Sequence, residues 1–299
     1  MHMALIFLFM LLLPSPVAAV PDDTAATCSL SLPAEGLSVP QHGSYPALPQ
    51  ECDAVCRIDW RCLQLAYPQI SHMVSDCDGL WLVLHDGRRV RYAAAGKVRH
   101  AWAEDPWVVD VRTSMADTYP LEPERPDTPL GISPGRRRSY ELLQYFYGES
   151  PAAVKGQLQK VFLLGQPLWL AAPAAEAMHR ANAALASLVA TRSDLRRFLK
   201  MDGGFNWRRI AGECRLSPHA FGIAFDISAA IATYWRWSRL QPHPMQKDYP
   251  SAIVQAFENE GFIWGGKWHE YDLMHFEYRP EIICKAHMLQ EGKGKALVP

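Results

Sequence analysis

Two short stretches of the chain carry most of its chemical information. The first reads Ser217-Pro218-His219-Ala220-Phe221-Gly222-Ile223-Ala224-Phe225-Asp226, and the second reads Asp272-Leu273-Met274-His275-Phe276-Glu277-Tyr278. Two histidines and a carboxylate are a usual protein ligand set for catalytic zinc, which keeps its fourth position open for water. A further carboxylate three residues before the second histidine could serve as a base. The two stretches together predict a divided metal site.

The first stretch has the periodicity of a strand. Large apolar residues alternate with small or polar ones from Phe221 to Ser228, which predicts a strand there. On that strand Asp226 shares a face with Gly222 and Ala224, whose lack of bulk leaves space for a metal. His219 lies an odd number of residues before Asp226, so it must come from the loop that precedes the strand.

The second stretch alternates polar and aromatic residues from His275 to Tyr278, as a half-buried strand does. Asp272 lies three residues before His275 and would point to the opposite face of a continuous strand. We therefore expect Asp272 at a turn that enters the strand, after the flexible Gly265-Gly266. The predicted site consists of two loop-to-strand corners that face each other.

The flanking sequence predicts helices and strands without strict alternation. Helices are predicted for Ser139 to Tyr147, for a short segment opened by Ser150-Pro151, for about Pro173 to Ala190 and for Pro250 to Glu260, and strands for residues 161–164 and 168–170. A tight β-hairpin is predicted around Asp86-Gly87. This order indicates the α+β class, with helices packed on a small antiparallel sheet.

The overall composition excludes some classes of partner. A formal net charge of −1 at pH 7 argues against binding to nucleic acid or to an anionic membrane surface. The apolar run from Ala4 to Leu13 and the small residues Val17 to Ala19 indicate a secretory signal peptide at residues 1–19. We therefore expect a periplasmic or extracellular protein without a membrane span after cleavage, and the sequence does not specify an oligomeric state.

Composition divides the rest of the chain into three parts. Residues 20–50, rich in Pro, Ser and Ala, are predicted to be an extended leader. Residues 51–135 are predicted to form a cysteine-rich module that contains the β-hairpin and ends in a proline-rich linker. Residues 136–299 carry both metal-site stretches and are predicted to be the catalytic domain.

The chain has seven cysteines, which fits an exported protein whose thiols become disulfides. Five of them lie in the N-terminal part, and none has the spacing of a zinc knuckle: Cys28, Cys52, Cys56, Cys62 and Cys77. This favours a module held by disulfides over a second metal site. Cys214 and Cys284 flank the two halves of the site, and a bridge between them is one expectation, although spacing alone does not determine the pairing.

With their neighbours, the two stretches resemble a known family. The pattern Ser217-x-His219-x2-Gly222-x-Ala224-x-Asp226, followed by Asp272-x2-His275-Phe276-Glu277, resembles the zinc peptidases that comprise D-alanyl-D-alanine carboxypeptidases (VanY-like) and L-alanyl-D-glutamate endopeptidases. The resemblance covers roughly Phe198 to Ile283 and does not extend with comparable strength to the N-terminal half. It implies the Hedgehog-like peptidase fold, a small antiparallel sheet with helices on one side.

The resemblance also implies a function. Carried over position by position, it places Zn²⁺ on His219, Asp226 and His275, in an enzyme of the bacterial envelope that hydrolyses peptidoglycan stem peptides. The catalytic carboxylate of the family falls on Asp272, which would take a proton from water and deliver it to the leaving amine. Carboxypeptidase members typically have Glu at this position, so Asp272 favours the endopeptidase type.

Other residues receive candidate roles beside these. An upstream arginine commonly helps to bind substrate in this family, and Arg208 is the candidate, with catalytic and substrate-binding roles through a peptide carboxylate or the developing oxyanion. Arg209 is a weaker choice. Ser217 and Trp268 are candidates for substrate contact, although Ser217 could also orient His219 or only cap a turn.

Rival interpretations remain open from the sequence. His269 competes as a ligand and Glu270 as a base. The segment from Gly131 to Gly135 formally matches the G-x-S-x-G motif of serine hydrolases, but Pro134 has no backbone N–H to donate to an oxyanion hole. A non-catalytic peptidoglycan-binding or structural metal domain is the alternative from another functional class.

Overall fold

The computed structural model describes residues 47–95, 109–122 and 129–296, with side chains to residue 292. The predicted signal peptide, the leader up to residue 46 and Cys28 lie outside these ranges. In chain order the elements are α1 (Ala54–Ala66), β1 (Ile70–Asp76), β2 (Gly79–Leu84), β3 (Arg89–Ala94), α2 (Val111–Ser114), α3 (Tyr140–Tyr147), α4 (Pro151–Lys155), β4 (Leu158–Leu163), β5 (Gln166–Ala171), α5 (Ala172–Thr191), β6 (Met201–Gly203), β7 (Ala224–Ile227), α6 (Met245–Asp248), α7 (Ser251–Glu258), β8 (Phe262–Trp264), β9 (His275–Tyr278) and α8 (Pro280–Ala296). None of the helices in these ranges combines the length and apolar character needed to cross a bilayer.

The described strands form three antiparallel sheets, with orders β1-β2-β3, β4-β5 and β6-β7-β9-β8. Helices pack on these sheets, and α5 lies against β4 and β5 and also contacts α7. This mixture of helices and small antiparallel sheets agrees with the predicted α+β class. The hairpin predicted around Asp86-Gly87 joins β2 and β3, and Gly87 adopts the positive φ of 83° that the turn requires.

Helix ends follow the chemistry of their cap residues. The Ser139 side chain accepts from the backbone N–H of Leu142 at the start of α3, and Ser150 accepts from Ala153 at the start of α4. Gly148 ends α3 with φ 113°. The Ala-rich helix α5 runs from Ala172 to Thr191, close to the predicted bounds, and buries the apolar stripe that its periodicity indicated.

The four-stranded sheet contains Asp226 of the first stretch on β7 and His275 of the second stretch on β9. β7 and β9 are adjacent and antiparallel, and Asp226 lies directly opposite His275. The first strand is shorter than the predicted Phe221 to Ser228, because residues Pro218–Phe221 form a 3₁₀ turn that ends at Gly222 in the left-handed conformation. The alternation predicted that Gly222 and Asp226 share one face of a strand. This prediction is wrong, because Gly222 lies before the strand begins.

Disulfides join cysteines that the spacing could not pair. Cys52 bonds to Cys56, and Cys62 on α1 bonds to Cys284 on α8. The expected bridge between Cys214 and Cys284 is therefore wrong: packing of α1 against α8 brings Cys62 to Cys284, while Cys214 is an exposed free thiol. Two disulfides among the described cysteines are consistent with a periplasmic or extracellular protein.

One hydrophobic cluster extends across the predicted boundary at residue 135. It contains Leu63, Leu82 and Tyr92 from the N-terminal side and Leu143 and Phe221 from the C-terminal side, all buried. The cysteine-rich segment thus packs directly on the segment that carries the site. The module boundaries themselves stay a prediction.

Candidate metal centre and active site

Three side chains from separate parts of the chain converge at one point. His219 lies in the 3₁₀ turn before β7, Asp226 lies on β7, and His275 is the first residue of β9. One ligand atom from each lies within 4.8 Å of the other two. His219 thus comes from the loop before the strand, and Asp226 and His275 come from adjacent strands, as the periodicity predicts.

A backbone carbonyl orients His219. The Nδ1 atom of His219 lies 2.8 Å from the carbonyl oxygen of Gly204, next to β6. A carbonyl can only accept, so Nδ1 carries a hydrogen and Nε2 is the ring nitrogen that faces Asp226. Nε2 lies 3.3 Å from Oδ1 of Asp226. This is the arrangement in which a neutral imidazole can bind a cation through Nε2.

His275 is oriented in the same way, through its other nitrogen. Its Nε2 lies 3.3 Å from Oε2 of Glu277, and its Nδ1 lies 3.2 Å from Oδ1 of Asp226. An ionised carboxylate only accepts, so Nε2 donates to Glu277 and Nδ1 faces the other two groups. No role was predicted for Glu277 from the sequence, although residues two apart on a strand share a face.

The donor set fits a tetrahedral zinc ion. Two ligand atoms at about 2.1 Å from such an ion are about 3.4 Å apart. The two distances to Oδ1 of Asp226 are 3.3 Å from His219 and 3.2 Å from His275. Two imidazole nitrogens and one carboxylate oxygen also leave the fourth position for water, as catalytic zinc sites require.

The charges of the site depend on each other. Burial raises the pKa of Asp226, but hydrogen bonds and charge from His219 and His275 outweigh it and hold the pKa well below its usual range. Burial lowers the pKa of His275, but its hydrogen bonds to Asp226 and Glu277 outweigh this effect and raise the pKa to about 9. A metal that binds Nδ1 of His275 must therefore displace a proton from that atom.

Asp272 lies in the loop before β9, as predicted, and its pKa is shifted in the opposite direction to that of Asp226. Burial, together with the negative charge of Asp226, raises the pKa of Asp272 to about 6, although His275, His219 and Arg136 oppose the shift. Its Oδ1 is buried and has no hydrogen-bond partner in the described part of the chain. A carboxylate with a pKa close to neutrality and a free oxygen has the properties of a general base.

Among the described residues, Arg208 makes no hydrogen bond to this cluster, and its predicted role in catalysis and substrate binding stays a prediction. Arg208 is exposed, and its guanidinium donates to the carbonyl of Arg209, a contact of 3.4 Å. The arginine whose charge acts on Asp272 is Arg136, which sequence reasoning missed. Arg136 is buried and donates to the carbonyl of Glu270 at 2.5 Å. No sequence signal distinguishes Arg136 from its neighbours, because it lies in a run of three arginines.

The two remaining substrate candidates are buried. The side chain of Ser217 accepts from the backbone N–H of His219 and so caps the 3₁₀ turn that carries this ligand. Trp268 donates from Nε1 to the carbonyl of Pro134 at 2.7 Å, and its ring centroid lies 5.7 Å from that of His275. Both contacts support the shape of the site, and any direct contact with substrate stays a prediction.

The rival residues have other partners. His269 interacts with the side-chain amide of Gln241, with nitrogen separations of 3.2 and 3.0 Å, and lies outside the cluster of three ligands. The Glu270 carboxylate forms an ion pair with Arg136 at 3.1 Å, which disfavours it as a free base. Ser133 is buried in a turn and not in the strand-turn-helix of a serine nucleophile.

Comparisons with known proteins bear on the same segment. A family model described as D-alanyl-D-alanine carboxypeptidase matches residues 211–278, less than a quarter of the chain. No curated protein and no solved structure gave a match. The matched residues include His219, Asp226, Asp272 and His275, whereas Arg208 lies just before them. The segment that builds the site is thus similar to a family of peptidases, and this similarity supports a hydrolytic peptidase.

Proposed function

We propose that this protein is a zinc-dependent peptidase of the bacterial envelope that hydrolyses peptidoglycan stem peptides. The observation that carries the proposal is the convergence of His219, Asp226 and His275 beside a fourth, chemically distinct carboxylate, Asp272. The family match to residues 211–278 supports the substrate class.

Each residue has a separate task in this mechanism. His219 and His275 present one nitrogen each, and Asp226 one oxygen, to the cation. A bound zinc ion would supply a water of lowered pKa and a Lewis acid for the scissile carbonyl. Asp272 accepts the proton of the attacking water and returns it to the amine nitrogen as the C–N bond breaks, so that one water is consumed for each peptide bond. The position of Asp272, where carboxypeptidase members typically have Glu, favours an endopeptidase over a D,D-carboxypeptidase.

The test is incubation of the purified protein with muropeptides, with and without a chelator, and with mass analysis of the products. We expect cleavage that stops with the chelator and returns with zinc. A product shortened by one terminal D-alanine indicates a carboxypeptidase, and a cut inside the stem indicates an endopeptidase. Cleavage that survives both the chelator and His219→Ala would exclude the proposal.

Two variants separate catalysis from metal binding. Asp272→Asn should still bind zinc, but its rate of cleavage should fall by a factor of about 10² to 10⁴, because only the proton transfer is removed. His269→Ala is the matched control and should keep both zinc and activity, because His269 lies outside the cluster. Zinc binding by the wild type without turnover of any muropeptide would favour the non-catalytic alternative.

A further inference from the structure

A buried group of four charged side chains lies directly behind His275. Its members alternate in sign and are almost fully shielded from solvent: Arg138, Glu277, Arg279 and Glu281, with exposed side-chain fractions of 3%, 0%, 2% and 1%. Two positive and two negative groups balance one another. Charges buried this deeply are stable only when they are paired and hydrogen-bonded, so this group has a defined geometry.

Arg138 holds Glu277 with two parallel contacts. Its Nε lies 2.9 Å from Oε1 and its terminal nitrogen lies 2.5 Å from Oε2 of Glu277. Such a two-point contact fixes the plane of a carboxylate as well as its position. The other terminal nitrogen of Arg138 donates to the carbonyl of Arg136 at 2.8 Å, which fixes the guanidinium in turn.

The clamped carboxylate is the one that faces His275. Oε2 of Glu277 contacts both Arg138 and Nε2 of His275. Because Oε2 cannot rotate away from His275 without breaking the contacts to Arg138, the ring of His275 is held with Nδ1 toward Asp226. When a histidine binds a metal through one ring nitrogen, a carboxylate that accepts a hydrogen bond from the other ring N–H orients the ring and raises its basicity.

We propose that Glu277 and Arg138 are positioning residues for the metal centre: Arg138 fixes the Glu277 carboxylate, and that carboxylate fixes His275 for metal binding. The proposal rests on the metal-binding part of the proposed function. Arg138 lies outside residues 211–278, so the segment before the family match contributes a necessary part of the site. The part of the predicted catalytic domain that precedes residue 211 is then required for a competent metal centre.

The test is zinc affinity of the full chain, measured by competition with a chromophoric chelator, together with the visible spectrum of the cobalt-substituted protein. Glu277→Gln keeps the shape of the side chain but removes its charge, and we expect about 10-fold to 100-fold weaker zinc binding and an altered cobalt spectrum. Arg138→Met should weaken zinc binding similarly. Arg138→Lys, which restores one charged contact, should recover part of the affinity.

Glu281→Gln is the matched control. Glu281 belongs to the same buried group and bonds to Arg279 and Tyr67, but it does not contact His275. We expect this variant to lose stability and to keep its zinc affinity and cobalt spectrum. Equal loss of zinc affinity in Glu281→Gln and Glu277→Gln would overturn the proposal, because the effect would then be general.

The outcomes also separate this inference from the proposed function. If the wild type fails to bind zinc, the proposed function itself is wrong. If the wild type binds zinc and Glu277→Gln binds it equally well, only the positioning role is wrong. Near-ultraviolet circular dichroism establishes which variants fold, and the pair Arg138→Met and Arg138→Lys decides the question if Glu277→Gln does not fold.

Discussion

At the scale of single residues, Asp226 and Asp272 have opposite electrostatic settings although both lie in one site. Hydrogen bonds from two histidines hold the pKa of Asp226 down, whereas burial and the charge of Asp226 raise the pKa of Asp272 to about 6. Separation of two pKa values by environment is how neighbouring carboxylates acquire different roles. Asp226 stays a charged ligand, and Asp272 can exchange a proton near neutral pH.

The raised pKa of Asp272 predicts how stability depends on pH in the chelator-treated protein. An unfolded aspartate has a pKa of about 3.9, so the folded protein binds this proton more tightly than the unfolded chain does. The stabilisation is complete below pH ~3.9 and is lost as the pH rises through about 6. Relative to Asp272→Asn, the free energy of unfolding of the wild type should fall by roughly 2–3 kcal/mol between pH 4 and pH 7.

Urea unfolding of both proteins at several pH values measures this difference. Parallel stability curves for the wild type and Asp272→Asn would show that Asp272 titrates normally in the folded protein. Addition of zinc should reduce the pH dependence, because a nearby cation favours the charged carboxylate.

The roles of individual residues were predictable only in part. The odd spacing of His219 and Asp226 correctly predicted a loop residue and a strand residue, because strand periodicity is a local property. The clamp on Glu277 was not predictable, because Arg138 lies far away in the sequence and reaches Glu277 only through the fold. The charge of Arg136 on Asp272 was not predictable for the same reason, because Arg136 lies far from Asp272 in the sequence.

At the scale of elements, Gly222 determines how the 3₁₀ turn of His219 meets the strand of Asp226. Gly222 has φ 66°, and an added Cβ would lie 2.5 Å from Cδ2 of Leu158 and 3.0 Å from the backbone nitrogen of Ala171. We expect Gly222→Ala to lower the free energy of unfolding by about 2–4 kcal/mol, from left-handed strain plus overpacking. Zinc affinity should fall too, because His219 and Asp226 would shift apart.

Gly87→Ala is the control for Gly222→Ala. Gly87 also has a positive φ, of 83°, but an added Cβ would meet nothing within 4 Å. Gly87→Ala should lower the free energy of unfolding only by the backbone strain, about 1–2 kcal/mol, and should not affect zinc binding. Equal costs for the two variants in urea unfolding would contradict the close contact at Gly222.

The two disulfides should differ in their contribution to stability. The cysteines of the Cys62–Cys284 bond are separated by 222 positions and those of Cys52–Cys56 by 4. Chain entropy then predicts that replacement of the long-range pair by alanines costs about 5 kcal/mol and replacement of the short-range pair about 2 kcal/mol. Chemical denaturation of the two double variants measures both values, and a larger loss for Cys52–Cys56 would refute this order.

Helices and strands were predicted more accurately than the contacts between them. Helix ends were predictable because cap residues act through local hydrogen bonds. Helix α3 lies between Ser139 and Gly148, and α4 begins after Ser150, with Pro151 in its first turn. The pairing of Cys62 with Cys284 depends instead on the packing of α1 against α8. Sequence spacing contains no information about that packing, which is why the bridge expected for Cys214 was wrong.

At the scale of the whole molecule, packing across residue 135 predicts that the two parts do not fold separately. Removal of residues 1–135 would expose the buried side of Leu143, Tyr147 and Phe221 and would leave Cys284 without its partner. We expect the fragment 136–299 to be insoluble, or to lack a near-ultraviolet circular dichroism signal.

A chain that starts at residue 47 is the matched control for this truncation. It retains every buried residue of the three hydrophobic clusters of the described chain and should keep its near-ultraviolet signal and zinc affinity. A soluble fragment 136–299 with native zinc affinity would show that the N-terminal segment is an independent module, as its composition had suggested.

The pairing of β7 with β9 has a consequence for errors in folding. Phe225 lies opposite Phe276, and Asp226 lies opposite His275. A slip of one residue would exchange the two faces of β9, with Phe276 turned toward the ligands and His275 toward the aromatic core. Every misregistered molecule would therefore lack a metal centre as well as a proper core, so metal content can serve as a quality measure for refolded protein.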